Sequence, residues 1–239
     1  MKPTVILVHG AFAESSSWDG VTPALLAGGH RVIAFANPLR SVAGDAALLS
    51  DLVRSVQGPV VLAGHSYGGA VITNVDAGAG DVTALVYVAG FALEAGESCG
   101  DASALVPGST LGETLTPVPL GDGGTDMYID QGKFHAQFAA DLAPEQSALM
   151  AVTQRPVTEG ALFEPSGDQP LWRSVPSWFV YGELDRNIPA GAHEIMAERA
   201  GSRGTTVLAG ASHVVGISHP AEVAAVILEA AGHPALADA

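Results

Sequence analysis

Basic residues are scarce in this chain: ten Lys and Arg stand against 25 Asp and Glu in 239 residues, a formal net charge of −15 at pH 7. The ten are scattered singly, so no cationic stripe exists to displace counterions from a phosphate backbone, and nucleic acid is not an expected partner. The same acidity disfavours anionic membrane surfaces and strongly anionic substrates. Cysteine is nearly absent as well. Cys99 is the single one, which excludes an intrachain disulfide and lends no support to secretion. Long apolar runs are missing: nothing approaches the roughly 20 residues of a membrane span. The apolar run Val5 to Val8 near the N-terminus is too short for a signal peptide. These absences read as a soluble cytoplasmic protein; they leave a homo-oligomer open. Core material is abundant, with 48% hydrophobic and 15% charged residues, a balance opposite to that of disordered chains. The length fits one domain, or one domain carrying an insertion.

Short apolar runs alternate with segments of helical character. Val5 to Val8, Arg31 to Ala36, Val60 to Ala63 and Ala84 to Ala89 have strand length, and so do Ser177 to Tyr181 and Thr205 to Leu208. Continuous rather than alternating apolar character suits strands buried on both faces of a parallel sheet. Helices are predicted over Trp18 to Ala27, Ala43 to Val56, Tyr67 to Ala77, Ala190 to Ala200 and Ala221 to Ala230. Six strands with helical crossovers make a doubly wound α/β sheet. The alternation breaks between about Phe91 and Trp172. That stretch is too long for a connecting loop, so residues 91–172 read as an inserted cap, with residues 1–90 and 173–239 as the core. Within the cap a hairpin (Leu115 to Leu120 against Thr125 to Ile129) and helices near Lys133 to Asp141 and Pro144 to Thr153 are expected.

Gly64-His65-Ser66-Tyr67-Gly68-Gly69 directly follows one of these strands and directly opens a helix. The pentapeptide alone is a weak signal, and a structural Gly-rich turn is the bland alternative. Its position makes it specific: in a nucleophile elbow the serine sits on a sharp strand-to-helix turn, and the residues two before and two after must be small. A serine hydroxyl needs a base within hydrogen-bond reach. His213, in Gly210-Ala211-Ser212-His213, lies just past the last strand, at the carboxyl edge where reactive groups gather in open α/β sheets. His219 reads as structural ahead of the final helix, and His30, His135, His193 and His233 as surface or cap residues. The orienting acid is Asp185 in Tyr181-Gly182-Glu183-Leu184-Asp185, with Glu183 as its competitor. The order Ser, Asp, His is that of the α/β-hydrolases. The oxyanion donors are the N–H of Tyr67, at a helix N-terminus, and that of Ala11 in the loop after the first strand, with Phe12 as the lesser alternative. One glycine in that loop, Gly10, falls short of the three of a dinucleotide fingerprint, and no cofactor is expected.

On His9-Gly10-Ala11, Trp18, the elbow, Gly182 with Asp185, and Ser212-His213, the whole chain resembles the α/β-hydrolase superfamily. It is most similar to small members related to plant methyl-ester hydrolases and hydroxynitrile lyases, and to bacterial esterases of similar size. The resemblance implies a six-stranded sheet in the order 2-1-3-4-5-6. In that branch the lyases carry a threonine after the first-strand histidine and a lysine after the catalytic histidine. Gly10 and Val214 stand in those places here, which favours ester hydrolysis. Phe12, Trp18, Tyr67, Phe91 and Val214, with Met127, Tyr128, Phe134 and Phe138 from the cap, are candidates for the pocket wall. Such a pocket suits a small uncharged ester. A cofactor-independent lyase or perhydrolase, and a ligand-binding protein with little turnover, are the alternatives.

Overall fold

The computed structural model describes residues 1–121 and 123–232; His233 lies outside them. The first half of the chain alternates strand and helix. β1 (Thr4–Val8), β2 (Val32–Phe35), β3 (Val60–His65) and β4 (Val82–Val88) are separated by α1 (Thr22–Ala27), α2 (Val42–Ser55) and α3 (Tyr67–Thr73). Every residue of β1 and β3 is buried, as their unbroken apolar character demands of strands covered on both faces. An insertion follows β4. It holds α4 (Cys99–Ser103), the hairpin β5 (Leu115–Pro119) and β6 (Thr125–Ile129), α5 (Gln131–Phe138), α6 (Pro144–Thr153), β7 (Val157–Thr158) and α7 (Glu159–Phe163). The core resumes with β8 (Ser177–Gly182), α8 (Ala190–Arg199), β9 (Gly204–Leu208), α9 (Val215–Ser218) and α10 (Pro220–Gly232).

The core sheet runs β2-β1-β3-β4-β8-β9, and its pairings are parallel. Counted over core strands alone this is the expected order 2-1-3-4-5-6. The order reverses at β1, between β2 and β3, so the carboxyl ends of β1 and β3 border the crevice where doubly wound sheets bind their ligands. The expected hairpin is present as β5 against β6, pairing Leu115 with Ile129 and Pro119 with Thr125, its first strand ending at Pro119 rather than Leu120.

Three helix boundaries differ from the sequence expectation. The helix over Trp18 to Ala27 is two pieces, a 3₁₀ turn at Ser15–Trp18 and then α1, where the Thr22 hydroxyl donates to the Trp18 carbonyl. The helix opening at Tyr67 stops at Thr73, because the Asn74 amide turns back onto the Ala70 carbonyl. α5 ends at Phe138 rather than Asp141. The two-residue β7, which pairs with β6, carries too little pattern to be anticipated. It matters nonetheless, because it straps the insertion to the core: Thr158 donates to Leu39 O from its N–H and to Arg40 O from its hydroxyl.

Candidate active site

Ser66 sits where β3 passes into α3, at φ 52° and ψ −123°. That conformation costs a residue with a side chain roughly 1–3 kcal/mol and persists only where the surroundings over-determine it. They do so here. Ser66 O accepts from the N–H groups of Gly69 and Phe91. The elbow glycines permit the turn through close backbone approach: a Cβ at Gly64 would lie 2.5 Å from Gly68 O, and one at Gly68 would lie 2.3 Å from Val8 O.

Asp185 and His213 come from the loops after β8 and β9 and form a fully buried pair, His213 Nδ1 donating to Asp185 Oδ2 at 2.6 Å. The other oxygen, Oδ1, accepts the backbone N–H groups of Asn187 (2.8 Å) and Ile188 (3.0 Å). Burial pushes the Asp185 carboxyl up, but the charge of His213 and the hydrogen bonds from the two histidines outweigh it and hold the group well below the usual carboxylate range. With Nδ1 protonated toward the carboxylate, Nε2 is the bare nitrogen, and it is buried without a hydrogen-bond partner. No bond to Ser66 is made in this conformation; such contacts often tighten only around substrate. Glu183, the rival acid, is exposed and accepts the Gly210 N–H.

His65, the residue before Ser66, ties the elbow to the His213 loop. Its Nε2 lies 3.1 Å from His213 O, the two rings are 4.8 Å apart, and a carbonyl can only accept, so Nε2 carries the proton. Burial first, and then the neighbouring His213, pulls the His65 imidazole down to about 3. His65 is therefore neutral at any working pH.

The loop after β1 is set by His9. Its Nε2 accepts the Asn37 N–H (3.0 Å), so the proton is on Nδ1, which donates to Gly10 O at 2.9 Å. A trans peptide directs its C=O and N–H in opposite directions. Holding Gly10 O against the His9 ring therefore turns the Ala11 N–H away from that ring. The Phe12 N–H is already given to Arg155 O (3.0 Å), which removes it as an oxyanion donor. Gly10 packs directly on the elbow: a Cβ there would lie 2.6 Å from Ser66 Cβ and 2.8 Å from His65 O.

Ser66, Ala11 and Tyr67 share the wall of a cavity of about 470 Å³. Of the expected pocket residues, Phe12, Phe91 and Phe138 line it. Phe134, Tyr128 and Val214 do not. Phe134 is fully buried one helical turn behind Phe138, with ring centroids 5.0 Å apart, so it supports the wall rather than forming it. Tyr128 opens on a separate surface depression beside Thr116 and Gln154. Val214 and Trp18 border a small closed space behind His65, and Met127 lies outside the cavity wall. Among the described residues no charged side chain lines the cavity, and its hydroxyls are largely committed: Tyr67 donates to Asp45 Oδ2, Ser103 to Cys99 O and Ser109 to Asn187 O.

Sequence reasoning missed several of these groups. Asp45 is buried beneath Tyr67, and burial raises its carboxyl against the hydrogen bonds that steady it. His193 is not a surface residue: it is fully buried, with Nε2 3.4 Å from Asp185 Oδ2. Its position on the inward face of α8, beside Ala192, Met196 and Ala197, was the available signal. His30 and His135 are half-buried and bond backbone carbonyls, and His219 meets the Ser218 hydroxyl.

Known proteins share part of this chain's sequence and its fold. A curated relative, a carbendazim hydrolyzing esterase from Nocardioides sp. (strain SG-4G), is 37% identical over 109 residues. The match covers 39% of this chain and spans only 44% of that relative's length. Among solved structures, polyneuridine aldehyde esterase superposes with a TM-score of 0.79 at 18% identity, over 96% of this chain and 99% of its own. A pyrethroid hydrolase from Sphingobium faniae JZ-2 gives 0.73 at 19%, over 97% and 98%. A methylesterase from Arabidopsis gives 0.73 at 18%, over 95% and 98%. At such identities these likenesses speak for the fold. The sequence profile described as the alpha/beta hydrolase family matches residues 5–226, nearly the full span from β1 through α10, and the chain belongs to that family.

Proposed function

We propose that this protein hydrolyses small, uncharged carboxylic esters through an acyl-enzyme on Ser66. The observation that carries the reading is the strained serine of the elbow, whose neighbour His65 meets the His213 backbone and ring, together with a buried His213–Asp185 pair whose Nε2 has no hydrogen-bond partner among the described residues. In this reading Ser66 Oγ attacks the ester carbonyl while His213 Nε2 takes its proton. The N–H groups of Ala11 and Tyr67 receive the developing oxyanion, the first aimed by His9 through Gly10, the second unpaired at the start of α3. Collapse expels the alcohol, protonated by His213, and water repeats the sequence on the acyl group. Asp185 stays ionised throughout and stabilises the imidazolium. Residues 91–172 act as a cap whose Phe138 covers the cavity, and the uncharged wall favours neutral substrates. The curated relative, polyneuridine aldehyde esterase and the Arabidopsis methylesterase all bear the name of esterases.

Treatment with a fluorophosphonate is expected to add one adduct to the peptide carrying Ser66, and Ser66→Ala is expected to abolish both the adduct and the turnover of short p-nitrophenyl esters. Labelling that survives in Ser66→Ala would place the nucleophile elsewhere.

A further inference from the structure

His193 is a polar residue on the face of α8 that is otherwise turned into the core. Burying an imidazole there is costly unless it is hydrogen-bonded. Among the described residues its hydrogen-bond partner is the carboxylate of the His213 pair, with Nε2 3.4 Å from Asp185 Oδ2, the same oxygen that receives His213 Nδ1 at 2.6 Å. A carboxylate can only accept, so the proton of His193 is on Nε2, and Nδ1 is buried without a partner. The ring is clamped flat on Tyr181, with centroids 4.7 Å apart and planes 19° from parallel. Asp185 is thus a carboxylate with two imidazole donors on one oxygen and two backbone donors on the other.

We propose that His193 is a positioning residue for Asp185: its neutral Nε2–H holds Oδ2 in place against His213 Nδ1 and draws charge from that oxygen. The proposal rests on the reading of His213 as the general base. Burial lowers the affinity of His193 for a second proton more than Asp185 raises it, which keeps it a neutral donor. The other groups facing this cluster do not take over the role. Tyr181 on β8 is a neutral phenol, raised by burial and by the exposed Glu194. His65 on β3 is neutral and turned to the His213 carbonyl. Asp141 bonds the Ser212 hydroxyl, and Arg186 is exposed and donates to Ala136 O. Removing a donor from a carboxylate concentrates its charge, which favours the imidazolium beside it. The acid limb of activity therefore moves to higher pH when His193 loses its N–H.

The wild-type protein, labelled with ¹⁵N at histidine, decides the first part without any variant. His193 is expected to keep the Nε2–H tautomer and stay neutral between about pH 5 and 8, where an ordinary histidine titrates. A proton on Nδ1, or protonation in step with His213, overturns the proposal. His193→Phe keeps a flat ring against Tyr181 and removes the donor; His193→Gln keeps a donor at nearly the Nε2 position. The acid limb of kcat/KM for p-nitrophenyl acetate, and the His213 titration followed by NMR, are both expected to rise by about half to one pH unit in His193→Phe and to return toward wild type in His193→Gln. An unmoved limb and titration in folded His193→Phe would make His193 a packing residue and overturn the proposal. A moved NMR titration in a protein that turns over no ester would leave the positioning role standing and remove the ester reading instead.

Discussion

Gly10 and Ser66 are in contact through backbone and Cβ atoms that cannot swing aside. The Cβ of any residue at position 10 would lie 2.6 Å from Ser66 Cβ, so the loop that offers the Ala11 N–H and the elbow that offers Ser66 must part to accept it. Gly10→Thr, the residue found there in the lyase branch, is expected to cost at least the value of one oxyanion donor, roughly 10²–10³ in kcat, without releasing cyanide from mandelonitrile. Cyanide release exceeding ester hydrolysis in that variant would revive the lyase alternative. Asp185→Asn is expected to fold and to lose about 10⁴ in turnover through the wrong His213 tautomer. Glu183→Gln, exposed and bonded only to a backbone N–H among the described residues, should stay near wild type; a reversal of the two would move the acid by two residues. The buried histidines also make a stability prediction. His9, His65 and His193 all have lowered pKa values, burial being the first cause in each. Below about 6.5 the unfolded chain binds protons that the folded one refuses, so stability must fall as pH drops from there. His65 alone, protonating near 3 when folded, contributes a slope of about 1.4 kcal/mol per pH unit across the gap. Denaturant titrations at stepped pH check this, and stability that is flat between about pH 6.5 and 4.5 would mean that these rings are not buried neutral.

At the scale of elements, what was legible in the sequence is what repeats locally. β1 and β3 announce themselves by unbroken Val, Ile and Leu, and the elbow, Asp185 and His213 each lie within a few residues of a strand's carboxyl end. What was not legible is who faces whom across the fold. The inward face of Ala190–Arg199 could have marked His193 as buried, but nothing local to that helix says that the face meets Asp185. Asp45 is 22 positions from the Tyr67 hydroxyl that it receives, and only the packing of α2 against α3 joins them. Phe134 and Phe138 do share a helical face as their spacing requires, yet only the inner turn reaches the cavity. The contact between the segment after α6 and the loop after β1 was equally hidden, because it runs through backbone: Phe12 N–H to Arg155 O. The Arg155 side chain adds a pair with Glu14, more than a third exposed on both sides, which is worth at most about 1 kcal/mol, and a hydrogen bond from Nη1 to Asn37 O at 3.3 Å, worth about 1 kcal/mol more. Arg155→Ala is therefore expected to cost no more than about 2 kcal/mol of stability and to leave turnover close to wild type. A collapse of kcat in a folded Arg155→Ala protein would shift the anchoring of this loop from the backbone to the guanidinium.

For the whole molecule, charge and cavity act in the same direction on substrate choice but by different physics. The chain carries −15 overall, a long-range field that slows the approach of anions and that salt screens over about 8–10 Å. Among the described residues the cavity wall has no charged side chain to receive a carboxylate, and moving an unpaired anion out of water carries a desolvation cost that salt does not relieve. The two contributions can be separated with p-nitrophenyl butyrate and p-nitrophenyl hemisuccinate, close in size and differing by one carboxylate. The neutral ester is expected to be preferred by about 100-fold or more in kcat/KM at low salt. Raising the ionic strength to about 0.5 M should recover only a small part of that ratio, because screening acts on the approach and leaves desolvation inside the cavity intact. Near-complete recovery would assign the preference to the surface field. Hydrolysis of the anionic ester as fast as the neutral one at low salt would show that the acyl group is accommodated outside this cavity, and would remove the basis for restricting the substrate to uncharged esters.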